Sequence, residues 1–391
     1  MNYISQINEK GNIAVDDTIL VKGTPATAGS RMLENFTPLF SATAVERLEK
    51  KGYTISGKTN VGEFGLDLVG EFSYFENDTL KGAAAELVAD KKVKAALCVD
   101  LNGSPRRAAA LSGVKFIKPT YSTVSRYGVI PCASSAEQIG VMAGSISDIK
   151  EILTVIAGHD EKDGTSLKNK SYDYDTDLEI KGAKVCIIKE LLENVDEATK
   201  SYIENYKNAL IKKGVIVEEI SSDIAKLANS AWQILMCAET CNNLSRYDGV
   251  KFGYRTPNYS NIDELYVNTR TEGFNFLTKA TIIYGSEALS KGRYTECYDK
   301  SLRIRRIVVE KMKEIFKGYD AVLLPAISKA EYKPYDIKDA FVKVFEESVY
   351  TAIPSITGMP ALVSNKVQLM GNYFDESMLL SLAKATEGVC C

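Results

Sequence analysis

The sequence predicts an α/β protein, with a sheet packed between helices. Three observations lead there. An amphipathic helix, a Lys-Lys-Gly stop and a β-branched run follow one another twice, at Lys50-Lys51-Gly52 and at Lys212-Lys213-Gly214. That phrase is the helix-to-strand unit of an α/β sheet. Elsewhere, segments with apolar residues at helical spacing alternate with short apolar runs of strand length. With 391 residues, 45% hydrophobic and 25% charged, the chain can bury a large core. We expect one α/β domain over residues 1–391, with a surface connection near 159–181.

Taken in order, Ser41 is placed to cap a helix running through Val45, Leu48 and Lys51 to Gly52, and Tyr53-Thr54-Ile55 then reads as a buried strand. Gly82-Ala83-Ala84-Ala85 starts a helix of small residues suited to close packing. Ala95-Ala96-Leu97-Cys98-Val99 is a buried strand. Ser134-x-x-Glu137 and Ser145-x-x-Asp148 both resemble capping boxes. The second opens a helix with Ile149, Ile152, Leu153 and Ile156 on one face, ending near Gly158. Residues 159–181 are polar. Residues 182–188 form a strand, Tyr202 to Lys213 a helix, and Val215-Ile216-Val217 the strand after it. Residues 222–318 are mostly helical. Residues 319–325 are a strand stopped by Pro325, and a last helix from Asp375 carries Met378, Leu379, Leu382 and Ala385.

Composition excludes several function classes. A net charge of −3 argues against direct nucleic-acid binding, which needs a basic surplus. His159 is the single histidine, so His-rich zinc centres and two-His iron sites are ruled out, and a Ser-His-Asp hydrolase would have to use His159. No metal site and no cofactor are expected. The eight cysteines form no CxxC pair, and several sit in apolar runs, as free thiols do in a reducing compartment. The absence of a signal core or a long apolar run predicts a cytoplasmic protein with no membrane contact.

The most suggestive residues for chemistry are Asp100-Leu101-Asn102-Gly103-Ser104-Pro105-Arg106, directly after an apolar run. A strand entering a tight turn can present the Ser104 hydroxyl beside backbone N–H groups that face an oxyanion. A plain turn accounts for the same residues. Cys237 and Cys241 share a helix face, which reads as core packing. Lys91, Lys92 and Lys94, and the run Arg303-Ile304-Arg305-Arg306, read as solvated helix faces.

Beyond Ser104, whole phrases become recognisable. Gly113-Val114-Lys115-Phe116-Ile117-Lys118-Pro119-Thr120-Tyr121, Val124-Ser125-Arg126-Tyr127-Gly128 and Ala157-Gly158-His159-Asp160 resemble the amidase signature family. Leu244-Ser245-Arg246-Tyr247-Asp248-Gly249-Val250, Thr27-Ala28-Gly29-Ser30 and Gly57-Lys58-Thr59-Asn60 are similar to its branch of bacterial glutamyl-tRNA(Gln)/aspartyl-tRNA(Asn) amidotransferase A subunits. The resemblance implies a central mixed β-sheet between helical layers. It also implies a triad of Lys, a bridging Ser and a nucleophilic Ser.

Ser104 aligns with the nucleophile, within a loop that keeps Asp100, Gly103 and Arg106, which the resemblance makes candidates for substrate binding. Asp16, in Val15-Asp16-Asp17-Thr18-Ile19, stands at the Lys position. Leu80, 24 positions before Ser104, stands at the bridging Ser. Pro105 removes a backbone N–H beside the nucleophile. Thr281 and Ser348 stand where the A subunits place polar contacts to glutamine.

A carboxylate with an ordinary pKa near ~3.9 is a poor base for a serine. The expectation is therefore a homologue that has lost amide hydrolysis and binds a ligand or a protein partner in the relic cleft. Amidotransferase B- and C-like subunits are the partners the resemblance implies. The alternatives are an active glutamine amidohydrolase subunit supplying ammonia for tRNA-dependent transamidation, or a Ser104-dependent hydrolase with another base.

Overall fold

The computed structural model describes residues 3–76, 81–168 and 170–388. The N-terminal half runs β1 (Tyr3–Gln6), β2 (Ile13–Asp16), α1 (Thr43–Lys50), β3 (Ile55–Thr59), α2 (Ala83–Ala89), β4 (Ala95–Asp100), α3 (Ser104–Ser112), β5 (Lys115–Lys118), β6 (Gln138–Ala143) and α4 (Ile146–Ile156). The C-terminal half continues with β7 (Lys184–Ile188), α5 (Glu197–Lys212), β8 (Ile216–Ile220), α6 (Ile224–Leu244), α7 (Ile262–Gly273), α8 (Phe276–Leu289), α9 (Lys300–Ile315), β9 (Ala321–Pro325), α10 (Ala340–Glu347), α11 (Ala352–Thr357), β10 (Ala361–Ser364), β11 (Val367–Met370) and α12 (Glu376–Ala385).

The strands lie in one sheet, ordered β1-β3-β2-β4-β6-β5-β10-β11-β9-β7-β8. It is mixed, as expected. β2 is parallel to both β3 and β4, and β7 to both β8 and β9, while the middle of the sheet is antiparallel. Alternation along the strands sends residues to two cores. Ala95 and Leu97 of β4 join α1, α4, α5 and α12 on one face. Ala96 and Cys98 join α2, α3, α6, α9, α10 and α11 on the other. By the same period Asp16 follows Ala14 onto the α2–α3 face, where the candidate site lies. Among the described residues no helix is long and apolar enough to cross a membrane.

Both Lys-Lys-Gly phrases end a helix on a left-handed glycine, Gly52 (φ 89°) and Gly214 (φ 83°). The strand after the first begins later than its pattern suggested, so β3 carries Gly57, Lys58 and Thr59 into the sheet and Lys58 becomes fully buried. Ser145 caps α4, accepting from the Asp148 amide. Ser41 caps nothing: α1 starts at Thr43, and the Ser41 hydroxyl accepts from the Lys22 amide at 3.0 Å. Among the described residues of 159–181 none lies in a helix or strand, yet the segment is pinned to the body, since Asp160 accepts from Thr43 and Ser125, each at 2.6 Å.

Candidate functional site

The apolar strand β4 ends in Asp100, which has no exposure to solvent. Its carboxylate holds Arg106 through two hydrogen bonds, Nε to Oδ2 at 2.7 Å and Nη2 to Oδ1 at 3.0 Å. The remaining Arg106 donors reach the Thr351 carbonyl (3.0 Å), Gln368 Oε1 (2.9 Å) and Ser355 Oγ (2.9 Å). A guanidinium has five N–H groups, and all five are used. The expectation that Asp100 and Arg106 meet a substrate gives way to a task inside the protein. Their side chains tie the loop to α11 and β11 and keep no donor for a ligand.

Gly103 adopts φ 90°, and a Cβ there would come within 2.5 Å of Thr351. It too shapes the loop, since only glycine allows this turn into α3. Ser104 thereby becomes the first residue of α3 and Pro105 the second, where a missing N–H breaks no helical bond. Asn102 is built in as well. Its side chain accepts from Trp232 Nε1 at 2.9 Å, and its carbonyl from Arg107 Nη1 (3.0 Å) and Thr351 Oγ1 (2.9 Å).

Ser104 lines a cavity of about 50 Å³ together with Asp16, Thr18, Asn60, Cys98 and Glu137. The lining, taken over the described residues, contains no lysine. Asp16 ends β2 opposite Thr59 of β3. One oxygen accepts from the Val99 amide at 2.9 Å and the other from Thr59 Oγ1 at 3.1 Å. Burial nevertheless raises its pKa to about 7, against the pull of those bonds and of Lys58. The ordinary value assumed from the sequence is therefore the wrong one, and Asp16 is poised near neutrality, where a general base works best.

Next to it, Asp17 accepts from the Thr27 amide (2.8 Å) and hydroxyl, and one of its oxygens lies 3.8 Å from Lys58 Nζ. Lys58 donates to the Ile19 carbonyl, and burial lowers its pKa to about 8. Leu80, at the expected bridging position, lies outside the described residues.

Glu137 belongs to no capping box. Its Oε1 accepts the amides of Cys132 and Ala133 and folds a turn ahead of β6, and burial raises its pKa to about 7. The sequence reading missed it as a site residue. The available signal was an acidic residue at the start of a strand that pairs with β4.

The other candidates fall away from the cavity. His159 Nδ1 lies 2.9 Å from Ser166 Oγ. Thr281 and Ser348 donate to carbonyls of their own helical turns, at Leu277 and Val344. Where α6 meets α8, Gly285 lies against the Cys237 carbonyl and the Cys241 side chain. Lys94 pairs with Asp148 and Glu151, and Arg303 and Arg306 pair along α9 with Asp299 and Glu310.

A sequence model described as Amidase matches residues 12–80 and 81–380. The A subunit of glutamyl-tRNA(Gln) amidotransferase from Lachnoclostridium phytofermentans is 38% identical over 364 residues, 90% of this chain and 74% of that protein. The protein of the same name from Streptococcus agalactiae is 33% identical over 398 residues, 96% of this chain and 82% of its own. The crystal structure of the A subunit of glutamyl-tRNA(Gln) amidotransferase from Thermotoga maritima superposes with a TM-score of 0.82 at 27% identity, covering 100% of this chain and 87% of that one. These relatives overturn the expectation of a binding protein that has lost amide hydrolysis, because chains this similar over most of their length are named as amidotransferase subunits. Matched along nearly its whole length, and sharing a third or more of its residues with such relatives, the chain belongs to the amidase family.

Proposed function

We propose that this chain is the glutamine-hydrolysing subunit of a tRNA-dependent amidotransferase, with Ser104 as nucleophile and Asp16 as its base. The observation that carries the reading is the shared cavity. The aligned nucleophile and a carboxyl with a pKa of about 7 line the same small space. The names of the relatives support the amidotransferase setting. Those relatives are named as parts of a larger enzyme, which supports partners resembling the B and C subunits. A cytoplasmic location fits both this setting and the free cysteines among the described residues.

Ionised Asp16 takes the Ser104 proton as Oγ attacks the amide carbon. The N–H groups of Ser104 and Arg106 open α3 without helical acceptors and are the candidates for holding the oxyanion. Ammonia leaves, and water then cleaves the acyl-serine.

Ammonia release from glutamine, measured with and without co-expressed partner subunits, tests this. Ser104→Ala should abolish release, and Asp16→Asn should lower it by about 10²- to 10⁴-fold. The rate should rise as pH approaches about 7 and Asp16 ionises. Release that survives Ser104→Ala, or no release when partners are present, would overturn the reading. Thr281 and Ser348, with hydroxyls directed to their own helices, favour a second reading in which the same Ser104 chemistry acts on a small amide without glutamine's charged groups. Turnover of such an amide in the absence of glutamine turnover distinguishes the two.

A further inference from the structure

Serine attack leaves one chemical demand unmet, because an amide nitrogen departs readily only if it is protonated. We infer that Glu137 is the general acid of the Ser104 cavity, donating the proton that the leaving nitrogen needs while Asp16 receives the proton of Ser104. The inference rests on the Ser104–Asp16 reading above. Glu137 and Asp16 both line the cavity that holds Ser104. They reach it from different elements, Asp16 from the end of β2 and Glu137 from the turn before β6.

Glu137 is anchored through one oxygen only. Oε1 accepts the Cys132 and Ala133 amides, and among the described residues Oε2 makes no hydrogen bond. The residue also borders an outer pocket of about 220 Å³ with Arg126, Ser134, Lys162 and Asp163. It therefore stands between the inner cavity and a surface opening through which its proton can be exchanged. Burial disfavours its charge, which is what a group that must carry a proton near neutral pH requires. Arg126 and Glu239 act on it with opposite signs, and Cys132 and Tyr247 are the other titratable neighbours. Asp16 is faced by Lys58, Asp17 and Cys98.

The protons balance over a cycle. In acylation the Ser104 O–H bond breaks to Asp16, the C–N bond breaks, and the Glu137 proton goes to nitrogen, releasing ammonia. Asp16 is then protonated and Glu137 ionised. In deacylation Glu137 takes a proton from the attacking water, Asp16 returns one to Ser104 Oγ, and the acid departs. Both carboxyls end as they began, and no further reagent is needed.

Glu137→Gln tests the assignment, since the glutamine oxygen can still accept the Cys132 and Ala133 amides. Thermal unfolding should be close to that of the parent chain. With glutamine, ammonia release by the variant should fall about 10²- to 10⁴-fold. With a p-nitrophenyl ester, whose leaving group needs no proton, the initial p-nitrophenolate burst should change by less than about threefold. In the parent chain, amide turnover should fall above about pH 7 as Glu137 ionises, and the ester burst should lack that limb. Equal losses on amide and ester would overturn the assignment and leave Glu137 a structural residue, as would undiminished amide turnover. The reading beneath it fails separately, if the ester burst persists in Ser104→Ala.

Discussion

The two sides of the Ser104 cavity are built on opposite principles. On the α3 side, the Asp100–Arg106 pair is buried and fully matched. Asp100 and Arg106 satisfy each other, and the three donors left over find three acceptors. On the β2 side, charge is buried and poorly matched. Asp16, Asp17 and Lys58 crowd together with few partners. Among the described residues Asp17 Oδ1 makes no hydrogen bond, and burial shifts all three pKa values toward neutrality. A matched buried charge becomes architecture. An under-matched one can still change its protonation state, so it is at groups of that kind, Asp16 and Glu137 among them, that proton chemistry can take place.

The comparison can be broken most sharply at Arg106. Arg106→Ala leaves the Asp100 charge buried without its partner and should cost about 3–5 kcal/mol of stability. Denaturant unfolding measures this, and a loss under about 1 kcal/mol would remove the case for a matched side. Gly103→Ala comes next, at about 1–3 kcal/mol, because it adds a clash with Thr351 to a left-handed backbone. Gly23, at φ 72° with open space around it, isolates the backbone part. Gly23→Ala should cost about 1 kcal/mol, and equal losses at the two sites would show that Thr351 yields.

The under-matched side should appear as a pH effect. Asp16 binds its proton more tightly folded than unfolded, so its contribution is complete in acid and is lost as pH rises toward about 7. Lys58 acts in the opposite sense. Its folded pKa of about 8 lies below the ordinary lysine value, so stability recovers as pH rises from there through the unfolded lysine range. Relative to the parent chain, Asp16→Asn should therefore gain stability between about pH 4 and 7, by at most about 1.4 kcal/mol per pH unit. A flat difference would mean that Asp16 titrates normally. The smallest change belongs far from the cavity. Lys94→Ala breaks a partly exposed pair with Glu151 and Asp148 and should cost under about 1 kcal/mol.

Much of the fold is legible locally. Helix, Lys-Lys-Gly and strand can be read from periodicity, and the Ser145 cap from its spacing. The turn that presents Ser104 stands in the sequence because a strand, a glycine and a helix start are contiguous. What could not be read depends on distant residues. Ser41 looks like a cap until Lys22 takes its hydroxyl. Glu137 looks like half of a capping box until two amides behind it claim its oxygen. The pKa of Asp16 is set by how deeply β2 is covered, and no run of neighbouring residues encodes that.

The anchoring of Arg106 also sets a timetable for synthesis. Its acceptors lie 245, 249 and 262 residues further along the chain, at Thr351, Ser355 and Gln368. At roughly 5–20 residues per second, the ribosome delivers them on the order of tens of seconds after Arg106 itself. Until then Arg106 lacks those three acceptors, and the turn carrying Ser104 has no tie to α11 or β11. A nascent or truncated chain would hold the serine without the machinery that aims it, and the proposed hydrolysis would have to wait until Gln368 has been made.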